Sequence, residues 1–415
     1  MLPPSTPEIE RLRSSALATY FTAAALTSIA YIATFTVASL AAPDMTGSAG
    51  SSGWPSAIAV AGTALAASLL SSVMARRGRR AGIMLGLAVA VVGGALAVVA
   101  VSVASLVLLL IASALVGFGN AAMNLSRYAA ADLFPVDRRA GALGFVVWGS
   151  TIGAVVGPNL VAPAGVVAPT FSLLPLAGGF AMAFVFLVAA MAVATLGPRA
   201  PIQPHLDEPT RAAGERPSSQ RRLLGELVRR PQGRTALVAL VTSQLVMTLV
   251  MTMTPYHLHA EGHGLETVGL VISAHTLGMF AFSPLSGRLT DRFGANAMIL
   301  AGFSVLAVAG LLAALIPDSG VGLTIPMFLL GVGWNLGFVA GSSLLASEAP
   351  LGDRARLQGA SDALVWATAA AASFSSGYVV ATASYAFLAV IGAALAMVLA
   401  VAVALDTRSS PAVPA

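Results

Sequence analysis

The stretch from residue 245 to 279, LVMTLVMTMTPYHLHAEGHGLETVGLVISAHTLGM, holds four of the five histidines of the chain. His257, His259, His263 and His275 stand there beside Met247, Met251, Met253 and Met279. Residues four apart share a helix face, so Met247 pairs with Met251 and His275 with Met279. If one helix ends near Leu258 and the next starts near Glu266, Met251 and His275 lie about 10–14 Å from that end, and Met247 and Met279 about 17–20 Å. Thioethers facing an imidazole make a soft, uncharged ligand set of the kind that suits Cu(I). Methionine is also an adaptable filler of apolar helices, whereas an ionisable His275 inside a membrane segment is costly and points to function. Between the two helices, His257, His259, Glu261, His263 and Glu266 form either a collecting site for an ion or a solvated loop.

The elements that position these residues follow from composition. Hydrophobic residues make up 57% of the 415 and charged residues 9%, far from soluble-protein usage. Twelve apolar segments, each long enough to span a bilayer, start near residues 16, 55, 82, 105, 141, 173, 234, 266, 296, 321, 359 and 384. The fold class is therefore an all-α membrane protein with twelve transmembrane helices. A hydrophilic stretch at 198–233 divides residues 1–197 from residues 234–415, six helices each, and reads as a solvated linker, although Leu223, Leu224 and Leu227 among the charges of its tail also fit an amphipathic helix on the inner surface. The absence of cysteine excludes disulfides and thiolate metal sites, so soft-metal binding must use Met and His. All 22 basic residues are arginine, and they fall in alternate connections. The positive-inside rule places both termini in the cytoplasm, and a net charge of +5 then implies no nucleic-acid partner.

The halves repeat. Asp291 follows Ala75, Gly294 follows Gly78, Glu348 follows Asp132 and Asp353 follows Asp137 by the same 216 positions (291 − 75, 294 − 78, 348 − 132, 353 − 137). A constant offset across two loops means a duplicated six-helix unit, a transporter plan whose substrate sites lie near mid-depth. The only titratable group at such depth is His275, since no Asp or Glu falls in the middle of an apolar segment. Tyr31, Asn120, Asn124, Trp148, Gln244, Trp334 and Asn335 are the other polar groups at depth. They suit a cavity for an aromatic organic solute, or hydrogen bonds between helices.

The loop Gly287-Arg288-Leu289-Thr290-Asp291-Arg292-Phe293-Gly294 resembles the GxLxDRxG signature of the major facilitator superfamily, and Ser71 to Arg80 is its first-half counterpart, with Ala75 where Asp is expected. The resemblance extends to the helix count, the repeat and the topology over the whole chain. It implies two pseudo-symmetric six-helix bundles, alternating access without ATP, and no enzymatic chemistry. It also implies that these loops latch an inner gate, with Arg79–Asp132 and Arg292–Glu348 as the expected pairs. Gly144, Gly153, Gly157 and Pro158 resemble the glycine-rich signature of superfamily antiporters, although packing explains them as well. Ser113 stands where drug/proton antiporters carry arginine.

Within that superfamily, Met247-xxx-Met251 followed by His275-xxx-Met279 resembles the CcoA-like copper importers of bacterial inner membranes. The resemblance implies copper as the transported ion, with no resident cofactor. It makes Met247, Met251, His275 and Met279 the ligands, and the expected particle is a monomer whose partners are the lipid bilayer and its cargo. Close relatives carry riboflavin instead. Import of an organic molecule through Tyr31, Asn120, Asn124, Trp148, Trp334 and Asn335 is therefore the alternative, with drug or metabolite efflux as the third.

Overall fold

The computed structural model describes residues 6–47, 51, 54–198, 219–263, 265–349 and 351–409, and every regular element among them is helical. In chain order these are α1 (Thr6–Thr46), α2 (Trp54–Arg77), α3 (Arg79–Ser102), α4 (Leu106–Ala131), α5 (Arg139–Val167), α6 (Pro175–Leu196), α7 (Gln220–Arg229), α8 (Pro231–Ala260), α9 (Leu265–Phe280), α10 (Ser283–Phe293), α11 (Ala295–Leu315), α12 (Thr324–Glu348), α13 (Arg354–Thr382) and α14 (Tyr385–Ser409). Among the described residues, twelve stretches are long and apolar enough to cross a membrane, with α9 and α10 together making the eighth. This is the multi-pass helical fold that the composition demands.

The eighth span is broken because Pro284 stands in the first turn of α10. Proline lacks an amide hydrogen, and its ring clashes with the carbonyl four residues back. A continuous helix through Phe280 is therefore disfavoured, and α9 stops there.

The linker corrects the expectation of a plain solvated chain. Residues 199–218 lie outside those described, but Gln220–Arg229 is helical, and the Ser219 hydroxyl accepts from the Arg222 amide at 3.3 Å as its N-cap. Leu223 and Leu227 are buried. Gly233 leaves room for Leu227, since a Cβ there would meet that leucine's side chain and carbonyl.

The duplication is visible in backbone angles. Gly78 and Gly294, 216 apart, both adopt φ 85 at the tight turn into the next helix, a region open to glycine at little cost. α5 and α13, each of 29 residues, both follow a 3₁₀ turn, Val136–Arg138 and Leu351–Asp353.

By contact, the described residues fall into two units. The first comprises 1–135, 146–217 and 351–366; the second comprises 136–145, 218–350 and 367–415. The opening of α13 thus belongs to the first unit and the opening of α5 to the second. In the first, α4 packs on α2 and α3, and α1 on α6; a Cβ on Gly62 or Gly117 would run into the facing backbone. In the second, α12 is the hub for α8, α9 and α11, over a core that includes Val250, Met327 and Leu330. Small residues at such crossings are how helices associate in lipid.

Candidate functional site

α9 lies along α12 and touches α8 at few points. The crossing is close because both helices offer glycine. A Cβ on Gly278 would meet the Phe328 carbonyl, and one on Gly331 would meet the His275 carbonyl and, at 2.7 Å, the Met279 amide nitrogen. That approach sets the buried His275 ring against α12, where Nδ1 lies 3.0 Å from the Met327 carbonyl. A carbonyl only accepts, so Nδ1 carries the hydrogen and Nε2 the lone pair. Nε2 is buried with no protein partner.

Met327 is the residue that links the two helices carrying the expected ligands. Its carbonyl takes His275 of α9, and its sulfur, 3.4 Å from the Thr254 hydroxyl, takes α8. Met251 packs against the apolar cluster containing Met327, and Met247 is buried in α8. Met279 offers its carbonyl to Asn335 Nδ2 at 2.6 Å. His275 thus meets α12 through Met327, whose apolar cluster also takes Met251. Nothing in the sequence distinguishes Met327 from the other methionines.

The neutral groups at depth are largely engaged. Asn335 donates to the Met279 carbonyl and to Ser283 Oγ at 2.5 Å and accepts from Ser286 Oγ at 2.5 Å, stitching α12 across the break between α9 and α10. Trp334 donates to Gln244 Oε1 at 3.0 Å, stacks on Phe338 with centroids 4.4 Å apart and meets Phe280 edge-on. In the first unit, Asn120 Nδ2 reaches Thr63 Oγ1 at 3.4 Å and Asn124 Nδ2 the Asn120 carbonyl at 2.9 Å. Tyr31 lines a small recess with Thr34, Phe35 and Ser113. Trp148, 37% exposed, keeps its ring centroid 5.4 Å from that of Phe21.

Asp362 is the group that depth arguments passed over. It lies two turns inside α13 and is fully buried, with Oδ1 2.7 Å from Arg127 NH2 and 3.3 Å from the Tyr128 hydroxyl. Oδ2 is buried without a partner. Arg127 is held by the Asn124 carbonyl at 2.7 Å and the Tyr128 hydroxyl at 2.9 Å. An acid and an arginine, each a turn or two inside its segment, are the signal the sequence offered.

Of the expected latch pairs, Arg79–Asp132 forms at 2.9 Å, and Arg354 adds a second cation to the other carboxylate oxygen at 3.3 Å. Arg292–Glu348 does not form. The Arg292 guanidinium sits over Phe293, 5.2 Å from the ring centroid, and the Glu348 carbonyl faces Arg230. The repeat explains the difference, because the residue 216 positions after Arg79 is Ala295, so Glu348 lacks the equivalent arginine. Asp291 instead accepts from the Ala140 and Gly141 amides at 3.1 and 2.8 Å, capping α5. Its loop partner Gly287 packs on the Ala140 carbonyl, with no room for a Cβ.

At the α8–α9 turn, His257 Nε2 donates to the Pro317 carbonyl at 2.9 Å and its ring stacks on Tyr385 with centroids 4.4 Å apart. His263 Nε2 bonds the Asp318 carbonyl at 2.9 Å. The side chains of His259 and Glu266 lie outside the described set. Asp318, absent from the sequence-based site, completes a cluster with His257 and Glu261.

Set beside known proteins, residues 20–266 and 236–415 match the model of the Major Facilitator Superfamily. The chain is 36% identical to the uncharacterized MFS-type transporter YddS of Bacillus subtilis, over 88% of this chain and 84% of that protein. It is 30% identical to the riboflavin transporter RfnT of Brucella anthropi, over 73% of each. Among solved structures, the transporter FucP in its outward conformation aligns with a TM-score of 0.76 at 15% identity, over 94% of this chain and 98% of that one.

Proposed function

The chain belongs to the major facilitator superfamily, a family of secondary transporters, and from that premise we propose that it carries a small, planar organic solute of the flavin kind. We place it in a bacterial inner membrane, working as a monomer with both termini in the cytoplasm. The observation that carries this reading is the chemistry of the span interiors. Every charged side chain described within the spans sits near a helix end, Asp362 being the deepest. Between the ends, the polar groups are hydroxyls, amides, indoles and one imidazole, a set that hydrogen-bonds and stacks on an uncharged heteroaromatic ring. The 30% identity to a riboflavin transporter supports the same class. Trp148 is the exposed indole among these groups and the first choice for a stacking residue.

Riboflavin titrated into purified protein tests the reading. The wild type is expected to quench flavin fluorescence saturably and Trp148→Ala to weaken binding about tenfold, a stacking loss of ~1.4 kcal/mol. Absence of saturable binding would remove the flavin class.

A second reading, copper import, is favoured by His275. Its Nδ1–H is held by a backbone carbonyl while buried Nε2 keeps an unused lone pair, the arrangement typical of metal-ligating histidine. Met247, Met251 and Met279 would supply the thioethers. Copper content of cells expressing wild type or His275→Ala, at equal membrane abundance, decides it: equal content rejects the reading.

A further inference from the structure

We infer that the end of the second unit carrying the α8–α9 turn holds a binding site for one divalent transition ion, formed by His257, Glu261 and Asp318. One ligand atom from each lies within 4.8 Å of the other two. They come from two places in the chain, His257 in the last turn of α8 with Glu261 just beyond it, and Asp318 in the connection between α11 and α12. Ligand atoms about 2 Å from a tetrahedrally held ion stand ~3.3 Å apart. Closing from the observed spacing asks only for rotation of Glu261 and Asp318, which are exposed.

Charge at this end favours a cation. Between Arg234 and Arg288, and again between Arg292 and Arg354, the sequence has no basic residue other than histidine. Glu261 and Asp318 therefore lack an arginine partner of their own segments, and their fields add at the one place where they meet. The imidazole is already oriented. His257 stacks on Tyr385 at an interplanar angle of 6°, Tyr385 bonds the Thr254 hydroxyl at 2.9 Å, and Nε2 bonds the Pro317 carbonyl. Nε2 lies 3.6 Å from Asp318 Oδ1, and ligation through it exchanges the carbonyl bond for the ion.

The cluster also borders a cavity of about 570 Å³ lined by Met253, Tyr256, Tyr385 and the three ligands. One nitrogen and two carboxylates leave a tetrahedral ion an open position, and the cavity lets water or a solute donor fill it. An imidazole with oxygen ligands selects Zn²⁺ or Cu²⁺ over softer ions. The site is independent of the solute proposed above, and its oxygen-rich ligands differ from the thioethers expected to accompany His275.

Zinc titrated calorimetrically into EDTA-treated, full-length protein in nanodiscs tests this. The wild type is expected to bind one Zn²⁺, with Asp318→Asn and Glu261→Gln each weakening it about tenfold or more. Glu226→Gln, on the exposed face of α7, is the control and should bind as the wild type does. Unchanged size-exclusion profiles and melting temperatures of the variants without zinc separate ligand loss from misfolding. No zinc bound, or equal affinity in wild type and Asp318→Asn, overturns the proposal whatever the riboflavin titration shows.

Discussion

The Arg127 guanidinium and the Asp362 carboxylate meet at 2.7 Å with side-chain exposures of only 1% and 2%. Each is the other's charge compensation in a place where solvation is lost, and Asp362 Oδ2 remains without any partner. Such a pair contributes little to stability as a pair, yet removing one member strands the other. Asp362→Ala should therefore destabilise the protein by about 3–5 kcal/mol, whereas Arg127→Met with Asp362→Leu should fall within about 2 kcal/mol of wild type. Thermal unfolding of the purified variants followed by fluorescence measures both; equal losses in the single and double variants would contradict the pairing.

The two latch carboxylates should behave unequally. Asp132 is bracketed by Arg79 and Arg354 and is nearly buried, while Glu348 offers only its backbone carbonyl to a cation. Asp132→Asn is expected to lower stability by about 1.5–3 kcal/mol, and Glu348→Gln by less than about 0.5 kcal/mol. Comparable melting-temperature losses would mean that Glu348 is engaged after all.

Gly331 tests the crossing that positions His275. A methyl group there meets the His275 carbonyl and the Met279 amide, both backbone and unable to yield by rotamer. Gly331→Ala should cost about 1–3 kcal/mol through displacement of α9 from α12, visible as lower thermal stability. Gly225→Ala, at an open position of α7, should be neutral or slightly stabilising because alanine is the better helix former.

Asn335 is the tie across the interrupted eighth span. Asn335→Leu leaves the Ser283 and Ser286 hydroxyls and the Met279 carbonyl without their partner. Each stranded buried group costs about 1–3 kcal/mol, so poor yield or a strongly lowered melting temperature is expected. Wild-type stability in this variant would show that water replaces the amide.

The twelve spans and the duplication were legible because apolar length and a constant 216-residue offset survive without knowledge of packing. The same offset held the reason why Glu348 lacks its arginine, since Ala295 occupies the place of Arg79. Reading Arg292 as the partner matched loop chemistry and overlooked register. Asp362 was set aside because it does not fall in the middle of an apolar segment. Burial depends on the neighbouring helices, and Arg127 and Tyr128 approach it from a segment more than two hundred residues away. The roles of Met327 and Asp318 were illegible for a related reason. A backbone carbonyl facing His275 and a carboxylate facing His257 are set by the path of other segments. The short amphipathic helix at Leu223 and Leu227 was visible as a pattern, but its burial was not.

The most direct test of the transport assignment is uptake of labelled riboflavin by a riboflavin-auxotrophic bacterium expressing the chain, alongside the copper content of the same cells. Saturable uptake that rescues growth at low external riboflavin is expected, weakened by Trp148→Ala and little changed by Met251→Ala. No riboflavin uptake, together with copper accumulation lost in His275→Ala, would contradict it and make the metal the cargo.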